Sequence, residues 1–213
     1  MATAIFETGP PILSGHTKSR SEIRAGGEPS GSINCAGSSP DTTRTASSSS
    51  RDGPPGSIVG TERAGLGEIW ITDRTPADNR NPADAGARPV RLEPPVNGSI
   101  FRFFVLAPTN KQLSRQQLEE QAAEGFRAIG GEHCRVDTSR DAAMHKTRTV
   151  DYIILLKGDV TLVLDQDEVR LKPFDVVVQR GTNHAWRNNG NEPALLAGVL
   201  IDALPVLVSD GHV

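Results

Sequence analysis

Six short apolar runs follow one another within residues 152–202, and this crowding restricts the fold more than any other feature of the sequence. The runs are rich in Val, Ile and Leu, and turn residues such as Asp165–Asp167 and Lys172–Pro173 separate them. No helix-length segment stands between them, so parallel strand–helix–strand units are excluded. The pattern predicts an all-β protein with an antiparallel sandwich or barrel. The runs are 152–158, 160–165, 168–172, 175–180, 184–188 and 194–202.

Two more strands and one helix are predicted ahead of these runs. The segments 66–73 and 98–108 have the β-branched and aromatic character of strands. Ser114 is followed three residues later by Gln117, which is the spacing of a capping box at a helix start. The Ala, Leu, Gln and Glu residues that follow predict a helix to about Glu124.

The N-terminal quarter of the chain has a different composition. Residues 17–57 are dominated by Ser, Thr, Gly, Pro and Arg, so they lack the apolar surface that would offset the entropy of ordering. We therefore predict a disordered insertion over 17–57. A strand near residues 10–16, within the segment 1–16, completes a barrel formed by 58–205, and 206–213 are a C-terminal tail.

Composition limits the classes of partner and compartment. The chain has 213 residues, a net charge of -3 and an isoelectric point near 6.0, which give no electrostatic reason to bind nucleic acid or an anionic membrane. Cys35 and Cys134 are too few for a disulfide scaffold and lack zinc-finger spacing. Residues 1–20 contain no signal-peptide core, and no run reaches the roughly 18 apolar residues of a membrane span. We expect a cytoplasmic protein.

The segment before the first of the six runs contains three polar residues at odd positions. On a straight strand His145, Thr147 and Asp151 would share a face. Six residues at about 3.3 Å each would still separate His145 from Asp151 by roughly 20 Å. If both serve one site, the chain must turn within residues 146–150, which contain no Gly, Pro or Asn.

A second histidine lies in the segment that ends with the fifth run. Gly181 permits a tight bend, His184 opens the strand, and Asn188 follows four residues later. Strands brought side by side in a sandwich would place His184 opposite His145. These two histidines are the best candidates for functional residues.

These motifs resemble those of the cupin superfamily, which are small jelly-roll β-barrels. The first cupin motif has two histidines one residue apart, then a glutamate, and later a glycine. His145 and Gly158 match, whereas Thr147 and Asp151 stand where the second histidine and the glutamate belong. In the second motif Gly181, His184 and Asn188 match, and Phe174 replaces the first glycine.

A closer resemblance is to single-domain cupins with the runs H-x-T-x-T-x-D-Y and D-V-V-V-Q-R-G-T-x-H-A-W-R-N, which this chain has at 145–152 and 175–188. Such proteins occur in bacteria and in fungal polyketide gene clusters, where they are described as cupin-domain oxidoreductases, for example in salicylaldehyde-type pathways. The resemblance implies a cupin-type jelly-roll β-barrel and an oxidoreductase that acts on a polyketide-derived small molecule in secondary metabolite biosynthesis.

Three hypotheses for the function of the site are consistent with these residues. His145, His184 and Asp151 would bind Fe²⁺ or another divalent metal and leave positions for oxygen and substrate. Alternatively, His145 and His184 act without metal as general acid and base, and Tyr152 donates to a carbonyl oxygen, in a dehydratase, isomerase or cyclase. The third reading is a non-enzymatic small-molecule-binding cupin. His133 and Cys134 could add metal donors, although nothing in the sequence fixes their geometry.

The same residues also have structural readings. Trp186 is typical of core packing, and Asn188 and Asp175 are typical of turns. We also expect a homodimer, since an open sheet edge at 98–106 or 194–202 would need protection. A monomeric mass in solution would contradict this expectation.

Overall fold

The described part of the chain is built from ten β-strands, one α-helix and a short 3₁₀ turn. The structure, a computed structural model, describes residues 4–6, 57–61, 63–80 and 85–206. All ten strands pair in antiparallel fashion. The elements are β1 (Ala4–Phe6), β2 (Ser57–Thr61), β3 (Ala64–Thr72), β4 (Ser99–Leu106), α1 (Arg115–Ala128), the 3₁₀ turn (Glu132–Cys134), β5 (Thr149–Lys157), β6 (Val160–Leu164), β7 (Glu168–Leu171), β8 (Val176–Arg180), β9 (His184–Asn188) and β10 (Ala194–Asp202).

The strands form two sheets. The larger has seven strands in the order β1-β8-β5-β10-β4-β3-β2, and the smaller has three in the order β7-β6-β9. Each of the six apolar runs forms one strand, at the predicted position to within a few residues. The prediction of an all-β jelly-roll barrel is therefore confirmed.

The core lies where the inner faces of the two sheets meet. Along β5 the inward residues alternate with more exposed ones, as the two-residue repeat of a strand requires. Buried apolar side chains from both sheets pack into one cluster, so each sheet covers the inner face of the other. The cluster consists of Phe104, Ile153, Leu155, Val160, Leu162, Leu171, Val177, Ala194 and Leu196.

Helix α1 begins as the sequence indicates and ends later. The Ser114 hydroxyl accepts from the Gln117 backbone N–H at 3.3 Å, and the Gln117 side chain accepts from the Ser114 N–H at 2.9 Å. The helix continues to Ala128, past the predicted end at Glu124, and Phe126 then packs beside Ile129 against the buried Leu92. No helix in the described ranges is both long enough and apolar enough to cross a membrane.

Two expectations need correction or lie outside the described residues. The strands at 98–106 and 194–202 are not open edges, because β10 pairs with β4 and β5, and β4 pairs with β3 and β10. Strands β1 and β2 end the larger sheet instead. The strand predicted near 10–16, nearly all of the insertion predicted over 17–57, and residues 207–213 lie outside the described residues.

Gly158 provides a test of how the two sheets are connected. It links β5 to β6 with φ of +114°, and a Cβ there would lie 2.5 Å from the Ala194 Cβ and 2.9 Å from its Cα. We expect Gly158→Ala to lower the free energy of unfolding by about 1–3 kcal/mol, because backbone strain and overlap add. Gly125→Ala in α1 is the control: a Cβ there meets nothing within 4 Å, so helix propensity should raise stability by roughly 0.5–1 kcal/mol. Urea denaturation of both variants measures the difference.

Candidate functional site

A cavity of about 500 Å³ opens into the barrel, and its walls are mainly apolar. Four residues singled out from the sequence border it together, namely His145, Thr147, Asp151 and His184. The combination of apolar walls and a few convergent polar groups is typical of small-molecule sites. Among its apolar lining residues are Leu66, Phe104, Phe126, Ile129, Ile153 and Trp186.

The chain brings His145 and Asp151 to one cavity by crossing from one sheet to the other. His145 forms a β-bridge with His184 of the smaller sheet, whereas Asp151 lies in β5 of the larger sheet. Backbone hydrogen bonds fix the crossing: Lys146 N–H donates to the Cys134 carbonyl at 2.8 Å. The required turn is thus made by tertiary hydrogen bonds, and this explains why no Gly or Pro marks it.

The two cavity histidines lie side by side. Their ring centroids are 4.3 Å apart, with an angle of 46° between the rings. The Nδ1–H of His145 donates to the Ala143 carbonyl at 2.9 Å, and the Nδ1–H of His184 donates to the Thr182 carbonyl at 2.9 Å. Each Nδ1 is thereby held as a donor, so Nε2 is the basic nitrogen of each ring.

Burial favours the neutral form of both imidazoles. Burial lowers the pKa of His145, although its backbone hydrogen bond opposes the change. Burial, followed by the nearby charge of His145, holds the pKa of His184 well below its usual range. Two neutral imidazoles of this kind suit proton abstraction or metal ligation.

Asp151 is the acidic group of the cavity, and hydrogen bonds connect its carboxyl to two threonine hydroxyls. The Thr147 and Thr149 hydroxyls lie 2.6 Å apart, and Thr149 hydrogen bonds to the Asp151 carboxyl. Burial raises the pKa of Asp151 to about 6, although Thr149 and the charge of Arg102 oppose it. Within the described residues, its buried Oδ1 has no hydrogen-bond partner.

The raised pKa of Asp151 predicts a measurable pH dependence of stability. The folded state holds the proton more tightly than the unfolded state, so wild-type stability should fall as pH rises from about 4 to about 6. The shift in the pKa of Asp151, from its ordinary value of 3.8 to about 6, corresponds to a loss of about 3 kcal/mol in the free energy of unfolding. Asp151→Asn should lack this fall and be more stable than wild type at pH 7. Urea titrations of both proteins at several pH values test this, and parallel curves would contradict it.

A buried ion pair that was not predicted lies beside this cavity. Arg102 of β4 and Glu68 of β3 face each other across the strands, with Nη2 to Oε1 at 2.9 Å and Nε to Oε2 at 3.3 Å. Their side chains are 2% and 0% exposed, and Arg102 also donates to the Arg91 carbonyl and borders the cavity. Burial raises the pKa of Glu68, although Arg102 opposes the change. Strand alternation could have found Arg102, because it shares a face with Ile100 and Phe104.

Tyr152 is not part of the cavity. It follows the buried Asp151 on β5, so its side chain points to the other face of the sheet and is 46% exposed. The structure therefore does not support its assignment as a catalytic donor to a substrate carbonyl, and the outward-facing alternative is the one the strand geometry favours.

Other residues of the second motif fix the local backbone. Gly181 adopts φ of +60° before His184, and Asn188 donates to the Leu106 and Glu192 carbonyls at 2.8 Å each. Phe174 stands where the motif has glycine and adopts φ of +76°, a conformation that favours glycine. Asp175 accepts from the Lys172 N–H at 2.8 Å, as a turn residue does. The structural readings of Asn188 and Asp175 agree with these contacts.

The predicted metal ligands do not form a ready three-donor set. Within the described ranges, the group whose donor atoms all lie within 4.8 Å of one another is Glu93, His133 and Cys134. His145, His184 and Asp151 do not meet this condition, and the Asp151 carboxyl is held by Thr149 instead. As they stand, these three residues do not fit a single cation, so we derive no step of chemistry through a metal there.

Comparison with known proteins finds a match to a cupin domain. The Cupin_2 model, described as a cupin domain, matches residues 132–201. The chain is 40% identical to Phomopsin biosynthesis cluster protein C' of Diaporthe leptostromiformis over 87 residues, which is 38% of this chain and 46% of that protein.

Two other relatives align over longer segments. Cupin-domain-containing oxidoreductase virC of Hypocrea virens is 28% identical over 160 residues, covering 72% of this chain and 66% of the relative. Cupin-domain-containing oxidoreductase srdD of Neurospora crassa is 37% identical over 151 residues, covering 68% and 61%. The chain thus spans about half to two thirds of the length of these three relatives. The matched segment, residues 132–201, is similar to a cupin domain and includes both cavity histidines and most of the barrel strands, and the chain resembles the cupin-domain proteins of fungal biosynthetic clusters.

Proposed function

We propose that this cupin is an enzyme of secondary metabolite biosynthesis that moves a proton on a small, largely apolar, carbonyl-bearing molecule of polyketide type. The observation that supports it is the pair of neutral imidazoles, 4.3 Å apart, in a cavity of mainly apolar walls. The names of the relatives, which place them in biosynthetic clusters, support the pathway class. This proposal includes dehydration, isomerisation and cyclisation, because each needs proton transfers alone.

The first step is proton abstraction from a carbon next to the substrate carbonyl. The Nε2 of His145 or His184 accepts the proton, and the electron pair of the broken C–H bond moves into the carbonyl to form an enolate. The Nδ1–H donors to Ala143 and Thr182 keep each ring in the tautomer that has a basic Nε2. The imidazolium then returns its proton to another atom of the substrate.

Two ionisable side chains of the cavity, Arg102 and Asp151, assist this transfer. The Arg102 guanidinium borders the cavity and lowers the energy of a negative oxygen, although its ion pair with Glu68 reduces this effect. Asp151, with a pKa of about 6, is partly protonated near neutral pH and serves as a proton donor. Its unpartnered Oδ1 would meet a substrate hydroxyl.

Hydrogen exchange on a simple ketone tests the proposal without knowledge of the natural substrate. Acetophenone has an apolar ring and acidic methyl protons next to a carbonyl. In D₂O the full-length protein should speed the incorporation of deuterium into that methyl group beyond the rate given by free imidazole at equal histidine concentration. Proton NMR follows the loss of the methyl signal, and an exchange rate no greater than that of imidazole would contradict the proposal.

An oxidoreductase is the second candidate function. The words cupin-domain-containing oxidoreductase in two relatives' names favour it, as does the carboxylate oxygen of Asp151 that lacks a partner. A divalent cation such as Fe²⁺ would need a further donor beside His145 and His184, and Thr147 occupies the position of the missing cupin histidine.

Thr147→His separates the two candidates. If the cavity is adapted for a cation, the added imidazole should tighten Co²⁺ binding at least about tenfold, since each well-placed ligand adds strongly to affinity. Calorimetric titration with Co²⁺ in a Cys134→Ser background measures this while removing the nearby thiol. Unchanged Co²⁺ affinity would count against the oxidoreductase candidate.

The partners stay a proposal as well. We propose a small-molecule substrate and no nucleic acid, and a homodimer remains a prediction although its original premise of an exposed β4 or β10 edge is wrong. Multi-angle light scattering at micromolar concentration would give the mass.

A further inference from the structure

A second cavity, of about 230 Å³, is bordered by three metal-ligating side chains and not by the histidine pair, although Thr147 borders both cavities. His133 and Cys134 are adjacent on the 3₁₀ turn, and Glu93 precedes His133 by 40 residues. The donor atoms of the three side chains nevertheless all lie within 4.8 Å of one another. The proposed proton transfer uses none of them. The cluster combines oxygen, nitrogen and sulfur donors in one place.

The distances within the cluster are close to those of a tetrahedral zinc site. The Cys134 Sγ lies 3.5 Å from the His133 Nε2, and the same Nε2 lies 2.8 Å from the Glu93 Oε2. Zn–S bonds of about 2.3 Å and Zn–N bonds of about 2.1 Å place sulfur and nitrogen about 3.6 Å apart. Nitrogen and oxygen ligands lie about 3.3 Å apart on the same basis, so the Glu93–His133 contact must widen by roughly half an ångström. The donor atoms of Glu93 and Cys134 lie within 4.8 Å of each other.

The backbone holds two of the three donors in place. The other oxygen of Glu93, Oε1, accepts from the Arg148 N–H at 2.9 Å, which orients the carboxylate toward His133. Cys134 is fixed at both ends, because its N–H donates to the Gly131 carbonyl at 3.0 Å and its own carbonyl accepts from Lys146 at 2.8 Å. Outer hydrogen bonds of this kind are a regular part of metal sites.

We propose that Glu93, His133 and Cys134 bind one divalent cation of the zinc type, with a water from the second cavity as the fourth ligand. A mixed set of thiolate, imidazole and carboxylate suits Zn²⁺ better than Mg²⁺ or Ca²⁺, which prefer oxygen donors alone. On binding, the Cys134 thiol loses its proton to solvent and the S–H bond is replaced by an S–Zn bond.

Access and charge set the strength of this site. His133 is 66% exposed and Cys134 only 2%, so a cation enters past the imidazole and meets the thiol last. Lys146 and Arg148 border the same cavity, and their positive charges weaken binding relative to a site without them. The cation would join the 3₁₀ turn to the segment around Glu93, and thereby stabilise the folded protein.

Cobalt is the probe, because Co²⁺ bound to a thiolate shows an intense near-ultraviolet charge-transfer band that imidazole and carboxylate ligands do not give. The full-length Cys35→Ser protein retains Cys134 as its single thiol. We expect the band to saturate at one Co²⁺ per chain and to disappear when Zn²⁺ is added. Without such a band in the Cys35→Ser protein, the proposal is wrong.

Substitutions test whether the charge-transfer band arises from Co²⁺ bound to Glu93, His133 and Cys134. Cys134→Ser should abolish it, whereas His133→Ala and Glu93→Gln should each weaken Co²⁺ affinity at least about tenfold. His133 is exposed, so its alanine variant should fold even if the buried Cys134→Ser protein does not. A double His145→Asn/His184→Asn protein should keep the band unchanged, which separates this site from the histidine cavity. A band that persists in Cys134→Ser, or that ignores the His133 and Glu93 changes, would overturn the proposal.

Discussion

Replacing Arg102 by methionine is expected to lower the free energy of unfolding by about 3–5 kcal/mol, because it leaves the Glu68 carboxylate buried without its cation. Glu68 is fully buried and receives two contacts from the guanidinium, at 2.9 and 3.3 Å. Methionine occupies a similar volume, so the loss measures mainly the uncompensated charge. Urea denaturation followed by far-ultraviolet circular dichroism gives the value.

Two control variants show whether the lost stability of Arg102→Met comes from the uncompensated charge of Glu68. The double variant Glu68→Leu/Arg102→Met removes both charges, and it should recover most of the loss, since apolar replacement of a buried pair is often neutral or favourable. Arg170→Met removes an exposed cation that pairs with Asp159 and should change stability little. Similar losses in Arg102→Met and in the double variant would mean that packing or the hydrogen bond to Arg91, and not the charge, is what Arg102 contributes.

The buried pair of Glu68 and Arg102 contributes little net stability compared with an apolar pair of the same volume. We therefore infer that it serves the cavity that Arg102 borders. The charge of Arg102 lowers the pKa of Asp151, and Arg102 borders the cavity from the larger sheet, whereas His184 belongs to the smaller sheet. Glu68 holds the guanidinium in one orientation by a two-point contact. The pair therefore places a fixed positive charge beside the proposed reaction, where apolar walls strengthen its effect.

The strands could be predicted because their signals are local. Alternation of apolar residues and closely spaced turn residues located all six runs of the second half, and the capping box of Ser114 located the start of α1. The end of α1 was missed because Phe126 packs against residues distant in sequence. Strand order was also missed: the interior positions of β4 and β10 depend on long-range pairing, which local patterns do not encode.

The site could be predicted only where a motif fixed the spacing. His145, Asp151 and His184 were found because their residue types and intervals are unusual in strands, whereas Tyr152 was included from adjacency and points outward. Arg102 was not predicted, although strand alternation places it on the buried face of β4 with Ile100 and Phe104. Glu93, in contrast, joins His133 and Cys134 only through the tertiary fold. Long-range proximity of this kind has no signal in a single sequence.

Loss of the abstracting base should have the largest effect on chemistry. We expect at least one of His184→Asn and His145→Asn to reduce deuterium exchange into acetophenone by about 10²–10⁴-fold, the usual contribution of general base catalysis. The asparagine amide can still donate to the Thr182 or Ala143 carbonyl in place of Nδ1–H, while the basic Nε2 is lost. The fold should therefore survive, and circular dichroism spectra should match those of the wild type.

A control variant, the pH dependence and chelation show whether the reduced exchange rate reflects loss of a general base. His133→Ala removes a histidine that does not border the larger cavity, so the exchange rate should stay at the wild-type value. Because burial favours the neutral form of both cavity imidazoles, the wild-type rate should not fall as the pH is lowered through the ordinary histidine pKa of about 6.5. Exhaustive chelation should leave it unchanged if the chemistry is proton transfer. Exchange that disappears with chelator, or that survives in both asparagine variants, would show that the two imidazoles do not act as the bases proposed.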